Sequence, residues 1–212
     1  MALFQLFAIG AFYTLFIGRS ITMHRRGERV FVIGKGKRGA RALLEMAFMA
    51  GLLVWSVEIV VPCIGFDVSF FPAAMREPFF DSRVADTLGG AMIIGGLTVF
   101  AAALNAFGRS WRIGIDHDRP GQLVTQGVFG VTRNPIFLFM DLYFIGTWLI
   151  QRDVFRRLSP IVAVAGIHYP SLQEEKFLLR HYGDIYRRYL IRVPRYLGWR
   201  RWRKVAPTHS PS

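Results

Sequence analysis

The apolar positions fall into long uninterrupted runs, and their lengths are the first structural signal. Met1 to Gly18 carries no charged residue. Leu43 to Val61 is interrupted only by Glu45 and Glu58, and Val84 to Phe107 only by Asp86. Runs of about 18 residues or more, at ~1.5 Å per helical residue, span the ~30 Å hydrocarbon core of a bilayer. Two shorter runs follow, Ile136 to Ile150 and Leu158 to Tyr169, separated by Gln151-Arg152-Asp153. They read as an abbreviated helical hairpin extended by snorkelling Arg133, Arg156 and Arg157, or as a re-entrant pair. The first run lacks a basic segment before it and a small-residue cleavage site, so it reads as a mature helix and not a signal peptide. The expected fold is all-α and polytopic, with about five transmembrane helices. Residues 1–204 form one domain, and the Pro/Ser-rich residues 205–212 form a tail expected to be disordered.

Composition sharpens this picture. Hydrophobic residues make up 52% of the 212 positions and charged residues only 19%, yet the net charge is +13. A disordered chain would be poorer in Phe and Leu, and a soluble nucleic-acid binder would not carry so large an apolar share. The single cysteine, Cys63, excludes an internal disulfide framework. The charge is also concentrated. Arg19 to Arg41 holds eight Lys/Arg and one acid, and Lys176 to Lys204 holds ten and one. Pro62 to Arg83 holds two Arg and three acids. The positive-inside rule places the first two segments in the cytoplasm and the third outside, giving an external N-terminus and a cytoplasmic C-terminus. The three Arg in Gln151 to Arg157 run against that rule. The basic balance therefore reads as topology and attraction to anionic lipid headgroups, with no nucleic acid required.

One motif is a decoy. Arg29 to Ala40 contains Gly34-x-Gly36-x-x-Gly39 with Glu58 about 20 residues on, the spacing of a dinucleotide fingerprint. That chemistry needs a βαβ unit, and the next element here is a long apolar run. A basic, glycine-rich cytoplasmic loop is the simpler reading. His117 between Asp116 and Asp118 is a poor metal set, and no metal is expected.

The chemistry concentrates in two stretches. Phe107 to Phe139 places Arg109, Arg112, Asp116, His117, Asp118 and Arg119 in a polar loop, ending in Arg133-Asn134-Pro135 before an apolar helix. Proline suits a first helical position, so that tripeptide also fits a simple helix start. His168 to Gly198 contains Glu174 and Glu175, then Tyr182, Tyr186 and Tyr189 at a spacing that shares one helix face.

In order, these stretches read Leu123-Val124-Thr125-x-Gly127-x-Phe129, Arg133-Asn134-Pro135-x-Phe137, Glu174-Glu175-x-x-Leu178, Gly183-x-x-Tyr186 and Val193-Pro194. The series resembles the isoprenylcysteine carboxyl methyltransferase and phospholipid methyltransferase superfamily, whose pattern is LVTxGxY, RHPxYxG, EE, FGxxY and VP. The resemblance covers about Phe107 to Gly198.

It implies a small helical membrane enzyme that binds S-adenosylmethionine in a cytoplasmic pocket formed by the 107–135 loop and a C-terminal helix. By position the cofactor shell comprises Gln122, Leu123, Val124, Phe129, Asn134, Pro135, Ile136, Phe137 and Glu174, with Glu175 in reserve. Aromatic faces suit a sulfonium, a glutamate suits an ammonium or a ribose hydroxyl, and Arg133 suits a carboxylate. The substrate implied is lipophilic or membrane-soluble.

This chain departs from the pattern at Asn134 for His, Phe137 for Tyr and Phe139 for Gly. Carboxyl methyltransferases of this group carry an Arg four residues before the glutamate, where Pro170 stands here, which disfavours a carboxylate acceptor. Glu174 also completes Ser171-x-x-Glu174, a capping box that would serve structure. Asp141, nearly two turns into the fourth helix, is an intramembrane acid suited to orienting a nucleophile or accepting its proton, or to an interhelical bond. Arg133 and Asp141 are thus the catalytic candidates. Glu58 reads as structural or interfacial, and Asp86 and Glu45 as acids at helix N-termini. Two other functions stay open at this point: an NADPH-dependent membrane reductase similar to the sterol reductases, and a non-catalytic scaffold of the same fold.

Overall fold

A computed structural model describes residues 1–28, 30, 40–65, 82–108, 111, 123–151, 172 and 174–196. Every regular element among them is helical. They are α1 (Ala2–Arg25), α2 (Ala40–Cys63), α3 (Arg83–Phe107), a 3-10 turn at Gly127–Gly130, α4 (Pro135–Gln151), a helical stretch over 174–182, and α5 (Asp184–Arg192). The three long apolar runs and the shorter Ile136–Ile150 run thus become α1 to α4. The fifth, 158–169, and the Gly34-Gly36-Gly39 motif lie outside the described residues.

Local chemistry sets the helix ends. The Ser82 side chain accepts a hydrogen bond from Ala85 N at 3.2 Å, and Asp86 sits in the first turn of α3. Both complement the exposed N–H groups and positive dipole of a helix start. At the other end of α3, the Arg19 guanidinium of α1 donates to the Gly108 carbonyl. A cation there satisfies a carbonyl that the helix leaves without a partner. Pro135 opens α4 as its first helical residue, with Leu138 N bonded to Asn134 O at 2.9 Å.

The closest packing joins α3 to α4. A Cβ built on Gly89 would lie 2.6 Å from the Gly146 carbonyl, and one on Gly146 would lie 2.6 Å from the Gly89 carbonyl. Only hydrogen at both positions permits that backbone approach, which is how helices associate where lipid removes the hydrophobic drive between them. Two turns on, a Cβ on Gly96 would lie 3.1 Å from the Phe139 carbonyl. The Phe139 side chain fills the space between α1, α3 and α4. Its ring stacks on Phe100 at 4.6 Å and on Phe12 at 5.4 Å. Trp111 closes this aromatic core against Phe16, Phe100 and Phe107.

The exterior is apolar and the interior holds polar groups. Phe7 is 77% exposed and Val84 69%, with Leu3, Leu53, Leu88 and Ile94 similarly outward. Gln5, Ser56, Glu58 and Thr147 are buried. Tyr13 Oη and Ser56 Oγ lie 2.7 Å apart between α1 and α2, and Gln151 Nε2 donates to Gln5 Oε1 at 3.0 Å. Glu58 is therefore an interior group of the bundle and not an interfacial one. Among the described residues α1 and α3 are long and apolar enough to cross a membrane, and with this outward surface they are consistent with a membrane protein.

Candidate active site

The turn 130–135 leads into α4, and its backbone is held by the segment that follows α5. Arg133 N donates to Pro194 O at 2.9 Å, and Asn134 N donates to Arg195 O at 3.2 Å. Thr132 is almost wholly buried, and its hydroxyl donates to the same Arg195 carbonyl at 2.8 Å. Buried backbone groups need partners, and here residues 61 or more positions apart supply them to each other.

Side chains reinforce the seam. Glu175 is buried at 9% exposure and receives three groups. Arg195 grips it as a fork, Nε to Oε1 at 3.0 Å and Nη2 to Oε2 at 2.6 Å. Arg133 Nη2 lies 3.2 Å from Oε1, and Asn134 Nδ2 donates to that oxygen at 3.5 Å. Arg133 Nη1 donates to the Leu190 carbonyl at 3.2 Å, while its buried Nε meets no acceptor among the described residues. The hydrogen bonds that Arg195 donates to Glu175 raise the Arg195 pKa above its ordinary value. A planar guanidinium matches a carboxylate in two parallel bonds, which gives direction as well as charge.

A second layer seats α5 on the 3-10 turn. Tyr189 Oη donates to the Phe129 carbonyl at 2.6 Å. Tyr186, Tyr189 and Val193 form a buried cluster with Leu123, Leu178 and Tyr182 against it. Burial pushes both phenols, Tyr186 and Tyr189, well above their ordinary pKa. The three tyrosines do not share one helix face as their spacing predicts. Gly183, at φ +54°, breaks the helix between Tyr182 and Tyr186. They reach one cluster from two helices instead.

The structure thus brings Arg133, Asn134 and Glu175 into contact. Pro135 is buried directly behind them. Leu123 and Val124 are half-buried on the approach to the 3-10 turn, and Phe129 within it is buried edge-on against Phe107 at 4.8 Å. Ile136 and Phe137 are half-buried in the first turn of α4, and Glu174 is half-buried beside Glu175. Gln122 lies outside the described residues, as do Ser171 and the capping box it would close. Asp141 stands apart from the Glu175 cluster, six residues into α4 and about 9 Å along its axis. Its Oδ1 is buried with no hydrogen-bond partner among the described residues, on the helix face that carries Phe137 and Trp148. Phe139 points away from the cluster into the aromatic core.

Arg195 is the group that sequence reading passes over. It follows Val193-Pro194 directly, but among ten basic residues its charge counts only toward topology.

The phospholipid methyltransferase family model matches residues 84–185. That segment includes α3, the 3-10 turn, α4 and the 174–182 helix, and so Arg133, Asn134, Asp141, Glu174 and Glu175. No curated protein matches the chain significantly. Arg195 lies beyond the matched segment. Residues 84–185 therefore match the phospholipid methyltransferase family model as a domain, consistent with the superfamily of membrane methyltransferases that its motifs resemble.

Proposed function

We propose that this protein transfers a methyl group from S-adenosylmethionine to a lipophilic or membrane-soluble acceptor bearing an amine, thiol or hydroxyl. The family itself implies S-adenosylmethionine-dependent methyl transfer in general; the class of acceptor is the finer step taken here. The observation that supports it best is the meeting of Arg133, Asn134 and Glu175 inside the matched segment. The reductase alternative draws no support from the family match.

The residues suit this cofactor. Glu174, half-buried beside Glu175, is assigned to the cofactor ammonium or a ribose hydroxyl by the motif position it occupies. The buried Nε of Arg133 has an unmet donor for the carboxylate. Leu123, Val124, Phe129, Pro135, Ile136 and Phe137 supply the apolar and aromatic lining, with Gln122 assigned by position. The cofactor supplies an activated methyl on sulfur. That methyl would pass to the acceptor's lone pair, the carbon–sulfur electron pair leaving with sulfur. A thiol or hydroxyl acceptor gives its proton to Asp141. The protein's task is to align the two reactants and exclude water.

The site is assigned to the cytoplasmic face, where the cofactor is available, with acceptor entering from the bilayer. Support comes from the basic groups at that end of the bundle: His24, Arg25 and Arg26 at the end of α1, and the exposed Arg187, Arg188 and Arg192 on α5. These also suit anionic headgroups. Titration of the purified chain with S-adenosylhomocysteine, together with transfer of labelled methyl from S-adenosylmethionine into the lipid extract of membranes, tests the reading. Absence of binding at millimolar ligand overturns it. Binding without any methyl transfer favours the scaffold.

A further inference from the structure

We propose that Arg195 is a positioning residue of the cofactor site, which sets how much of Arg133 is left for an anionic ligand. This rests on the methyltransferase reading above.

Glu175 has two guanidiniums competing for it. Arg195 takes both oxygens in a fork, at 3.0 and 2.6 Å, while Arg133 reaches only Oε1 through Nη2 at 3.2 Å. Arg133 therefore keeps its Nε outside the pair, buried and without an acceptor among the described residues. The fork has a fixed plane, and Arg195 has a fixed origin. Its own carbonyl accepts from Asn134 N and from the Thr132 hydroxyl, and the preceding carbonyl, of Pro194, accepts from Arg133 N. Backbone and side chain of one residue thus set the turn that carries Arg133 and Asn134 and the carboxylate between them.

Without Arg195, Glu175 Oε2 loses the donor it has here. The carboxylate then turns to Arg133 and closes a two-point pair with it, which consumes Nε. The cofactor carboxylate loses a charged hydrogen bond, although Arg133, Asn134, Glu174 and Glu175 are all still present.

Isothermal titration of the full-length detergent-solubilised protein with S-adenosylhomocysteine separates this role from a structural one. Loss of folded protein lowers the binding stoichiometry and leaves the Kd of the surviving molecules unchanged. Loss of positioning raises Kd at unchanged stoichiometry. Arg195→Met is expected to raise Kd about ten- to a hundredfold, the range for one hydrogen bond to a charged group. Arg195→Lys keeps the charge but not the fork and falls between Met and wild type. Arg192→Met, an exposed arginine of α5, leaves Kd unchanged.

A wild-type Kd in Arg195→Met at any stoichiometry overturns the proposal. If Arg195→Met does not yield a monodisperse protein, a wild-type Kd in Arg195→Lys does the same. If wild-type protein itself binds no S-adenosylhomocysteine, the function proposed above falls, a pattern distinct from failure of Arg195 alone.

Discussion

Adjacent glutamates here have different environments, and that difference is testable residue by residue. Glu175 sits between Arg195 and Arg133 with little solvent access. Removing one partner of a buried ion pair leaves the other charges uncompensated and costs about 3–5 kcal/mol. Glu175→Gln is therefore expected to lower the melting temperature sharply as well as weaken cofactor binding. Glu174→Gln, at a half-buried position, is expected to weaken binding with a smaller loss of melting temperature. Thermal melts of the two variants beside titrations with S-adenosylhomocysteine check this; equal melting losses would erase the distinction. Asp141 makes a third case. Its distance from the Glu175 cluster predicts that Asp141→Asn lowers kcat, by about 10²–10⁴ for loss of a general base, and leaves cofactor affinity unchanged. A fall in affinity with kcat intact would remove Asp141 from the chemistry.

At the scale of elements, two contacts have a chemistry that can be tested. The first is the crossing of α3 and α4 at Gly89 and Gly146. Any larger side chain at Gly146 meets the Gly89 carbonyl and Ile93, and overpacking of this kind costs about 1–3 kcal/mol. Gly146→Leu should yield little monodisperse protein on size exclusion. Gly95→Ala, where nothing lies within 4 Å, should behave as wild type. The second contact is α5 on the 3-10 turn. Tyr186 and Tyr189 are held neutral by burial, so their folded pKa is raised. An unfolded phenol titrates near 10, and above that pH the unfolded form releases protons that the folded form retains. The docking of α5 is thus fully stable below about pH 10 and weakens as pH rises beyond it. Phenolate absorbance and tyrosine fluorescence should change together in a cooperative step above pH 10. Gradual titration from pH 10 with no structural change would show the phenols to be solvated.

For the molecule as a whole, the ends of the bundle differ. One carries the Glu175 cluster and the basic termini of α1 and α5; the other carries Gln5 and Gln151. The positive-inside rule predicts that the first faces the cytoplasm. In sealed right-side-out vesicles, a tag at the N-terminus should be cleaved by added protease. A tag at the C-terminus should be cleaved only after the membrane is opened. The reverse pattern would put the cofactor site on the side without cofactor.

Much of this was legible in the residues themselves. Helices α1 to α4 follow from unbroken apolar runs, since a chain with few polar side chains must satisfy its backbone internally. The Arg133-Asn134-Pro135 turn and the Glu174-Glu175 pair were legible as motifs, because their residue types and order follow the pattern of the family that the segment matches. Spacing did not reveal which glutamate is buried, since neighbours on a helix differ by 100° and only the packed surroundings choose between them. Nor did it reveal the break at Gly183, where helical periodicity hides a backbone turn. Phe139, a departure from the family pattern in the sequence, became intelligible only once Phe12, Phe100 and Gly96 surrounded it. Arg195 was invisible for the same reason. Hydropathy and charge act along the chain and are written in it, so they determined the helices and the basic segments, and the ordered motifs carried the family resemblance. The ion pairs of Glu175, the α3–α4 crossing and the seam between 132–134 and 194–195 join residues distant in sequence. Their partners are decided by three-dimensional proximity and burial, which only the tertiary structure supplies.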